Sequence, residues 1–136
     1  MEDDAKKELF EELFRFSQMG ILSLDRVKEI ESFKGLDSIK EEVLALRFIN
    51  LKLEKALKSG VLSIERFKEY KHYLPTAFMR EIVAAETVED LAKSMIGKNA
   101  LTTLEFKEFC DKKWPPSYLL QKLEEIDKKG IKKWEV

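Results

Sequence analysis

The chain has a single cysteine, Cys110, and a single histidine, His72, among 136 residues. A lone cysteine excludes an internal disulfide framework and fits a reducing compartment. One cysteine and one histidine cannot complete a tetrahedral zinc site without carboxylates or a second chain. Glycine is scarce, with five copies and no cluster, so the sequence has neither a phosphate-cradling loop nor a dinucleotide fingerprint. No apolar run approaches the roughly 18 residues of a membrane span. The acidic start Met1-Glu2-Asp3-Asp4 does not read as a secretory signal. An excess of one charge is missing as well. Lys and Arg number 25 against 26 Asp and Glu, without the basic surplus of a dedicated nucleic-acid binder. These absences together predict a cytoplasmic protein with no transmembrane segment.

What is present suits an ordinary helical domain. Hydrophobic residues make up 44% of the chain, with nine Phe, enough to build a core at this length. Charged residues reach 38%, above the average of roughly 25%. Asn and Gln contribute only two residues each, while Lys and Glu dominate, a composition met in thermophilic proteins.

The most informative feature is an internal repeat. Gly20-Ile21-Leu22-Ser23-Leu24-Asp25-Arg26-Val27-Lys28-Glu29 is followed 40 residues later by Gly60-Val61-Leu62-Ser63-Ile64-Glu65-Arg66-Phe67-Lys68-Glu69. After a further 39 residues comes the looser copy Asn99-Ala100-Leu101-Thr102-Thr103-Leu104-Glu105-Phe106-Lys107-Glu108. Such a period suggests stacked helical pairs or a duplicated bundle. Gly20, Gly60 and Asn99 suit the left-handed residue just past a helix end. Ile21-Leu22 and its counterparts can fold back on that helix. Ser23, Ser63 and Thr102 are N-cap residues for the next, short helix. That helix shows apolar pairs three apart: Val27 and Ile30, Phe67 and Tyr70, Phe106 and Phe109.

Periodicity and punctuation then predict helices over about 5–18, 24–33, 38–59, 64–73, 76–96, 103–112 and 116–129. Leu9, Phe10, Leu13 and Phe14 form the face of the first. Gly35 ends the second. The third is central, its stripe widened by Phe48, Ile49 and Leu51. Thr87-Val88-Glu89-Asp90 has the form of a capping box, so a break in the fifth is expected near Glu86. Gly97 closes that helix, Pro116 opens the last and Gly130 ends it. The expected fold class is all-α: three related helix-turn-helix units with a period of about 40, in an orthogonal or bundle-like array of six to seven helices. Residues 1–130 form a single helical domain, and residues 131–136 a flexible tail.

Residues for chemistry are few. His72 lies near a helix end, placed to contact the last carbonyls. Cys110 falls four residues after Phe106 on the same helical face and reads as a small core hydrophobe. Glu11-Glu12, Glu41-Glu42 and Glu124-Glu125 read as solvated helix surface. No catalytic residue, cofactor site, metal site or small-molecule substrate is inferred. Two features suggest binding instead. Lys128, Lys129, Lys132 and Lys133 beside Trp134 could meet an acidic partner, a phosphate backbone or a membrane surface. Tyr73, Trp114, Tyr118 and Trp134 place interface-favoured aromatics near loops.

One stretch resembles a known family. Asn50-Leu51-Lys52, Ala56, Gly60, Ser63, Leu74-Pro75, Ala85-Glu86-Thr87-Val88-Glu89-Asp90-Leu91 and Gly97, in that order, look like part of the stalk-connector family of V/A-type rotary ATPases. The resemblance covers about Arg47 to Gly97. It implies an all-helical protein with repeated helix units that joins a rotor stalk to a membrane ring and catalyses nothing. Family members are longer, and Thr76-Ala77 stand here where glycines usually follow the Leu-Pro step. Gly60-Val61-Leu62-Ser63 with Phe67 is also similar to short helical oligomerisation motifs of bacterial proteins. Both resemblances imply assembly, and neither supplies ligand residues.

The sequence therefore predicts a non-enzymatic helical protein–protein interaction module: an adaptor, assembly factor or small subunit of a larger complex. Its partner is another protein or a second copy. Trp114, Tyr118 and Trp134 are the expected contacts, with Lys132 and Lys133 at the rim. The alternatives are a stalk component or shortened relative of a rotary ATPase, and a nucleic-acid accessory protein using the C-terminal lysines.

Overall fold

A computed structural model describes residues 2–129. Among them the chain is all-α, with seven helices and no strand: α1 (Glu2–Gln18), α2 (Leu24–Glu31), α3 (Leu36–Lys58), α4 (Ile64–Tyr70), α5 (Pro75–Gly97), α6 (Thr103–Asp111) and α7 (Pro116–Lys128). No described helix is long and apolar enough to cross a membrane. The expected end of the last helix at Gly130 and the tail 131–136 lie outside the described residues.

Long helices alternate with short ones because the repeated corner stops one helix and starts the next. Gly20 and Gly60 adopt φ of 83° and 79°, and Asn99 adopts 61°, the left-handed conformation expected at these positions. At the first corner Ile21 donates its N–H to the Phe16 carbonyl at 3.1 Å, and at the third Ala100 donates to Met95 at 2.8 Å. These six-to-one bonds satisfy carbonyls that a helix end would leave open. The second corner closes one residue later, with Leu62 donating to Ala56 at 3.3 Å. Ile21, Leu22, Val61, Leu62 and Leu101 are buried as a result. The caps follow as the sequence suggests. The hydroxyls of Ser23, Ser63 and Thr102 accept from the N–H of Arg26, Arg66 and Glu105 at 3.3, 3.1 and 3.0 Å. Each such cap contributes about 1 kcal/mol.

The chain divides into two compact units. The first comprises the chain up to Glu54 together with residues 67–80, and the second residues 55–66 together with the chain from Glu81 onward. Helices α3, α4 and α5 each contribute residues to both.

In the first unit the core gathers Leu13 and Phe16 of α1, Val27 and Ile30 of α2, Ile39, Val43, Leu46 and Ile49 of α3, and Tyr70 and Phe78. The face of α1 differs from expectation. Leu13 is buried with Phe16, whereas Phe14 is 50% exposed. The buried pair is spaced i, i+3 and rotates the stripe away from Phe14. Leu51, expected to widen the stripe of α3, is 77% exposed. Gly35 does not end α2. Ser32 is its C-cap, and the Gly35 carbonyl instead accepts from Ile39 at the start of α3. The largest surprise is Glu42, expected on the surface but only 6% exposed. Its carboxylate accepts from the Thr76 N–H at 3.0 Å and the Thr76 hydroxyl at 3.1 Å. A carboxylate at a helix N-terminus satisfies free backbone donors and complements the helix dipole. At the surface of this unit Arg47 forks onto Glu12 with two bonds of 2.8 Å. The hydrogen bond from Arg47, more than its charge alone, holds the Glu12 carboxyl below the usual range.

In the second unit Ile82, Ala85, Val88, Ala92 and Met95 of α5 are buried, as are Leu101 and, on α7, Leu119 and Leu123. Helix α5 runs unbroken through Glu86, contrary to the expected capping box. Thr87 donates its hydroxyl back to the Val83 carbonyl at 2.9 Å, a bond that threonine makes inside a helix. The buried alanines and Val88 hold the helix continuous by tertiary packing. Gly97 belongs to its last turn, and Asn99 makes the left-handed stop. Glu81 does for α7 what Glu42 does for α5. It accepts from the Ser117 N–H at 3.1 Å and the Ser117 hydroxyl at 2.8 Å. Pro116 opens α7 as expected.

Burial separates the two carboxylate caps in energy. Replacing Glu42 with Ala leaves the buried start of α5 short of its acceptor and is expected to lower stability by about 2 kcal/mol. Glu81→Ala, at a position where Ser117 is exposed, should cost clearly less. Chemical denaturation measures both, and equal midpoints for Glu42→Ala and the parent chain would contradict the cap.

Candidate functional site

The two short helices α2 and α6 begin alike and end up in different surroundings. Val27 and Ile30 of α2 are buried, as is Tyr70 of α4. Helix α6 has no buried residue at all. Its apolar positions Phe106, Phe109 and Cys110 are half-buried, and Leu104 is 67% exposed. The cause lies in how each corner is closed. In the first unit Ser23 donates its N–H to the Lys71 carbonyl at 2.9 Å, and Arg26 donates to the His72 carbonyl, so the end of α4 is tied to the start of α2. In the second unit Arg66, at the repeat position of Arg26, donates to the Lys113 carbonyl just past α6. The third copy has Glu105 in that place. Its carboxylate turns back to the Thr102 N–H at 3.2 Å and completes a capping box. No further short helix follows α6 among the described residues.

The segment after α6 builds an aromatic ladder. Lys113 adopts a left-handed backbone with φ of 59°. This conformation costs a side-chain-bearing residue roughly 1–2 kcal/mol. Arg66 secures the carbonyl of that strained residue, and the two prolines fix the chain direction. Pro115 is extended and Pro116 starts α7. Trp114 is thereby set between Phe109 and Tyr118. Its ring lies 5.5 Å from that of Phe109 and 4.9 Å from that of Tyr118, the second contact nearly edge-on at 79°. Two of its three rings carry a lysine ammonium. Lys112 Nζ is 5.3 Å from the Trp114 ring, and Lys122 Nζ is 5.4 Å from the Tyr118 ring. Both distances fall within the reach of a cation–π attraction. Lys122 also has Glu125 at 3.9 Å. Lys112 and Lys113 have no carboxylate within ion-pair distance among the described residues.

Trp114 and Tyr118, both expected as contacts, are therefore brought together. Lys132, Lys133 and Trp134 lie outside the described residues. Tyr73 packs edge-on against Tyr70 with centroids 5.2 Å apart. The structure adds Phe109, Lys112 and Lys122 to the ladder, none of them expected there from sequence. The i, i+4 spacing of Tyr118 and Lys122 on α7 is the one local cue that points to such a pairing.

The other candidates carry less chemistry. His72 is exposed, in the turn after α4, and its ring makes no hydrogen bond among the described residues. It lines a surface cleft with Phe14, Ser17, Asp25 and Lys71, but the one serine hydroxyl beside it that is engaged, Ser23, serves as a helix cap. Cys110 is not fully enclosed. Burial, aided by the negative charge of Asp111, pushes its thiol up, opposite to the shift that activates a nucleophilic cysteine. Among the described residues no three His, Cys, Asp or Glu side chains gather as a metal site would require.

Comparison with protein-family models, with curated proteins and with solved structures finds no match for this chain. The fold and the ladder thus define an all-α repeat protein with a partly exposed aromatic ladder, flanked by lysines, between α6 and α7.

Backbone strain at Lys113 is open to direct measurement. Lys113→Gly removes the side-chain penalty of the left-handed conformation and is expected to stabilise the chain by about 1 kcal/mol. Loss of stability in thermal unfolding would show that the Lys113 side chain, rather than its backbone, holds the turn.

Proposed function

We propose that the chain is a non-enzymatic interaction module of the cytoplasm, an adaptor, assembly factor or small subunit that holds another protein against α6 and α7. The observation that carries this reading is the contrast between α6, whose apolar positions are only half-buried, and α2, whose equivalent positions are enclosed. Aromatic side chains of this kind supply large contact area at small cost in side-chain entropy. Trp and Tyr are also the residues most often found to dominate interface energetics. Burial and the charge of Asp111 disfavour ionisation of the Cys110 thiol, which supports a binding role for the surface over a nucleophilic one.

A stalk component of a rotary ATPase, or a shortened relative, is the alternative. The feature that favours it is the repeated pairing of long and short helices through Arg47 to Gly97, the stretch that carries the resemblance.

The test is mass spectrometry of proteins that co-purify with the tagged full chain, set beside two surface variants. Tyr118→Ala and Lys112→Glu alter exposed side chains of the ladder, so both variants should fold. Partners captured by the parent chain and lost from both variants are the expected result. Partners retained by both would reject the surface. Components of the rotary ATPase among those lost would favour the stalk alternative.

A further inference from the structure

We infer that α3 carries a self-association surface, and that its occupant is α3 of a second copy of this chain running antiparallel. The surface uses none of the residues of α6 or α7.

Helix α3 has an apolar line on its solvent side. Leu44 and Leu51 are 54% and 77% exposed. They stand seven residues apart, two helical turns, and so project from the same side of the helix. Phe48 falls between them, four residues after Leu44 and three before Leu51, and is only half-buried. The core residues Ile39, Val43, Leu46 and Ile49 recur on the opposite side. A single exposed leucine is ordinary. Apolar side chains spaced four and then three apart form the seam along which two helices pair. A cleft lined by Glu41, Leu44, Met79 and Arg80 opens beside the line and gives an incoming leucine a place to enter.

The charges beside the line indicate what covers it. Before Leu44, Lys40 lies on one flank and Glu41 on the other. Near Leu51, Glu54 lies on the flank of Lys40 and Lys52 on the flank of Glu41. Read backwards from Phe48, the apolar spacing is the same and the charge on each flank is reversed. Such a surface is complementary to itself about a two-fold axis, as a dimer of identical chains requires. With the axis near Phe48, Leu44 of each copy meets Leu51 of the other. Lys40 then comes level with Glu54, and Glu41 with Lys52. Arg47, close to the axis, has its charge answered by Glu12 in its own copy.

Direction follows from the ends of the helix. Helix α3 has Asp37 in its first turn and Lys55 and Lys58 in its last. A parallel pair would bring the two basic ends together, whereas an antiparallel pair sets each beside an acidic start. Antiparallel helices also oppose their dipoles favourably.

The experiment is sedimentation of the full chain across a wide range of concentration, with three variants. The parent chain should approach twice the 16.0 kDa of one chain as concentration rises. Leu51→Glu, at an exposed position that leaves the fold intact by circular dichroism, should weaken the dimer by about tenfold or more. Lys40→Glu should weaken it by about fivefold, since it sets like charges together twice per dimer. Adding Glu54→Lys to Lys40→Glu should restore the parent affinity. The two positions lie fourteen residues apart on one helix, about 21 Å, so recovery requires pairing between copies. A single-chain mass at every concentration overturns self-association. A dimer indifferent to Leu51→Glu overturns α3 as the surface. A double variant no tighter than Lys40→Glu alone overturns the antiparallel arrangement, because a parallel pair would leave both repulsions in place.

Discussion

A helix that stops on a left-handed residue, tucks two aliphatic side chains beneath itself and restarts on a hydroxyl is the corner from which this architecture is built. It occurs at Gly20, Gly60 and Asn99. Without it the long helices would have no fixed direction of exit, and α2, α4 and α6 would be too short to persist alone in water. Its components are local and individually modest, about 1 kcal/mol for each cap. Their combined effect is to bury Ile21, Leu22, Val61, Leu62 and Leu101 at fixed places, and every later contact starts from those places.

On that frame two kinds of longer-range bond repeat. A carboxylate on one long helix receives the first-turn donors of another, as Glu42 does for Thr76 and Glu81 for Ser117. An arginine on a short helix reaches a carbonyl 46 or 47 residues onward, as Arg26 does to His72 and Arg66 to Lys113. Both kinds join a side chain to the exposed end of a helix, where backbone groups would otherwise lack partners. The arginine series ends when Glu105 replaces arginine and bonds within its own helix start. Here the change coincides with the helix whose apolar face is only half-buried.

What could be read from the sequence was what local chemistry decides. The three corners, their caps, Pro116 at the start of α7 and the existence of seven helices all follow from short patterns, and the structure has them. What could not be read depends on partners distant in the chain. Nothing near Glu42 distinguishes it from Glu41, yet one is buried and the other solvated. Thr87-Val88-Glu89-Asp90 imitates a helix start, but burial of Ala84, Ala85, Val88 and Ala92 keeps α5 intact. On α1 both Phe14 and Phe16 are credible core residues, and only packing chooses Phe16. At the candidate site Trp114 and Tyr118 were legible because aromatics next to Pro115 and Pro116 stand out. Lys112 and Lys122 were not, since a lysine acquires meaning only once a ring lies beneath it.

Helix α6 is only partly covered among the described residues, with Phe106, Phe109 and Cys110 half-buried, and the proposed binding role depends on that state. Native-state hydrogen exchange of the free chain tests it most directly, because amide protection follows local stability. The backbone amides of α6 should exchange faster than those of α2, although both helices are short and carry the same kind of cap. Protection of α6 equal to that of α2 would mean that its face is already closed in the free chain and would contradict the account.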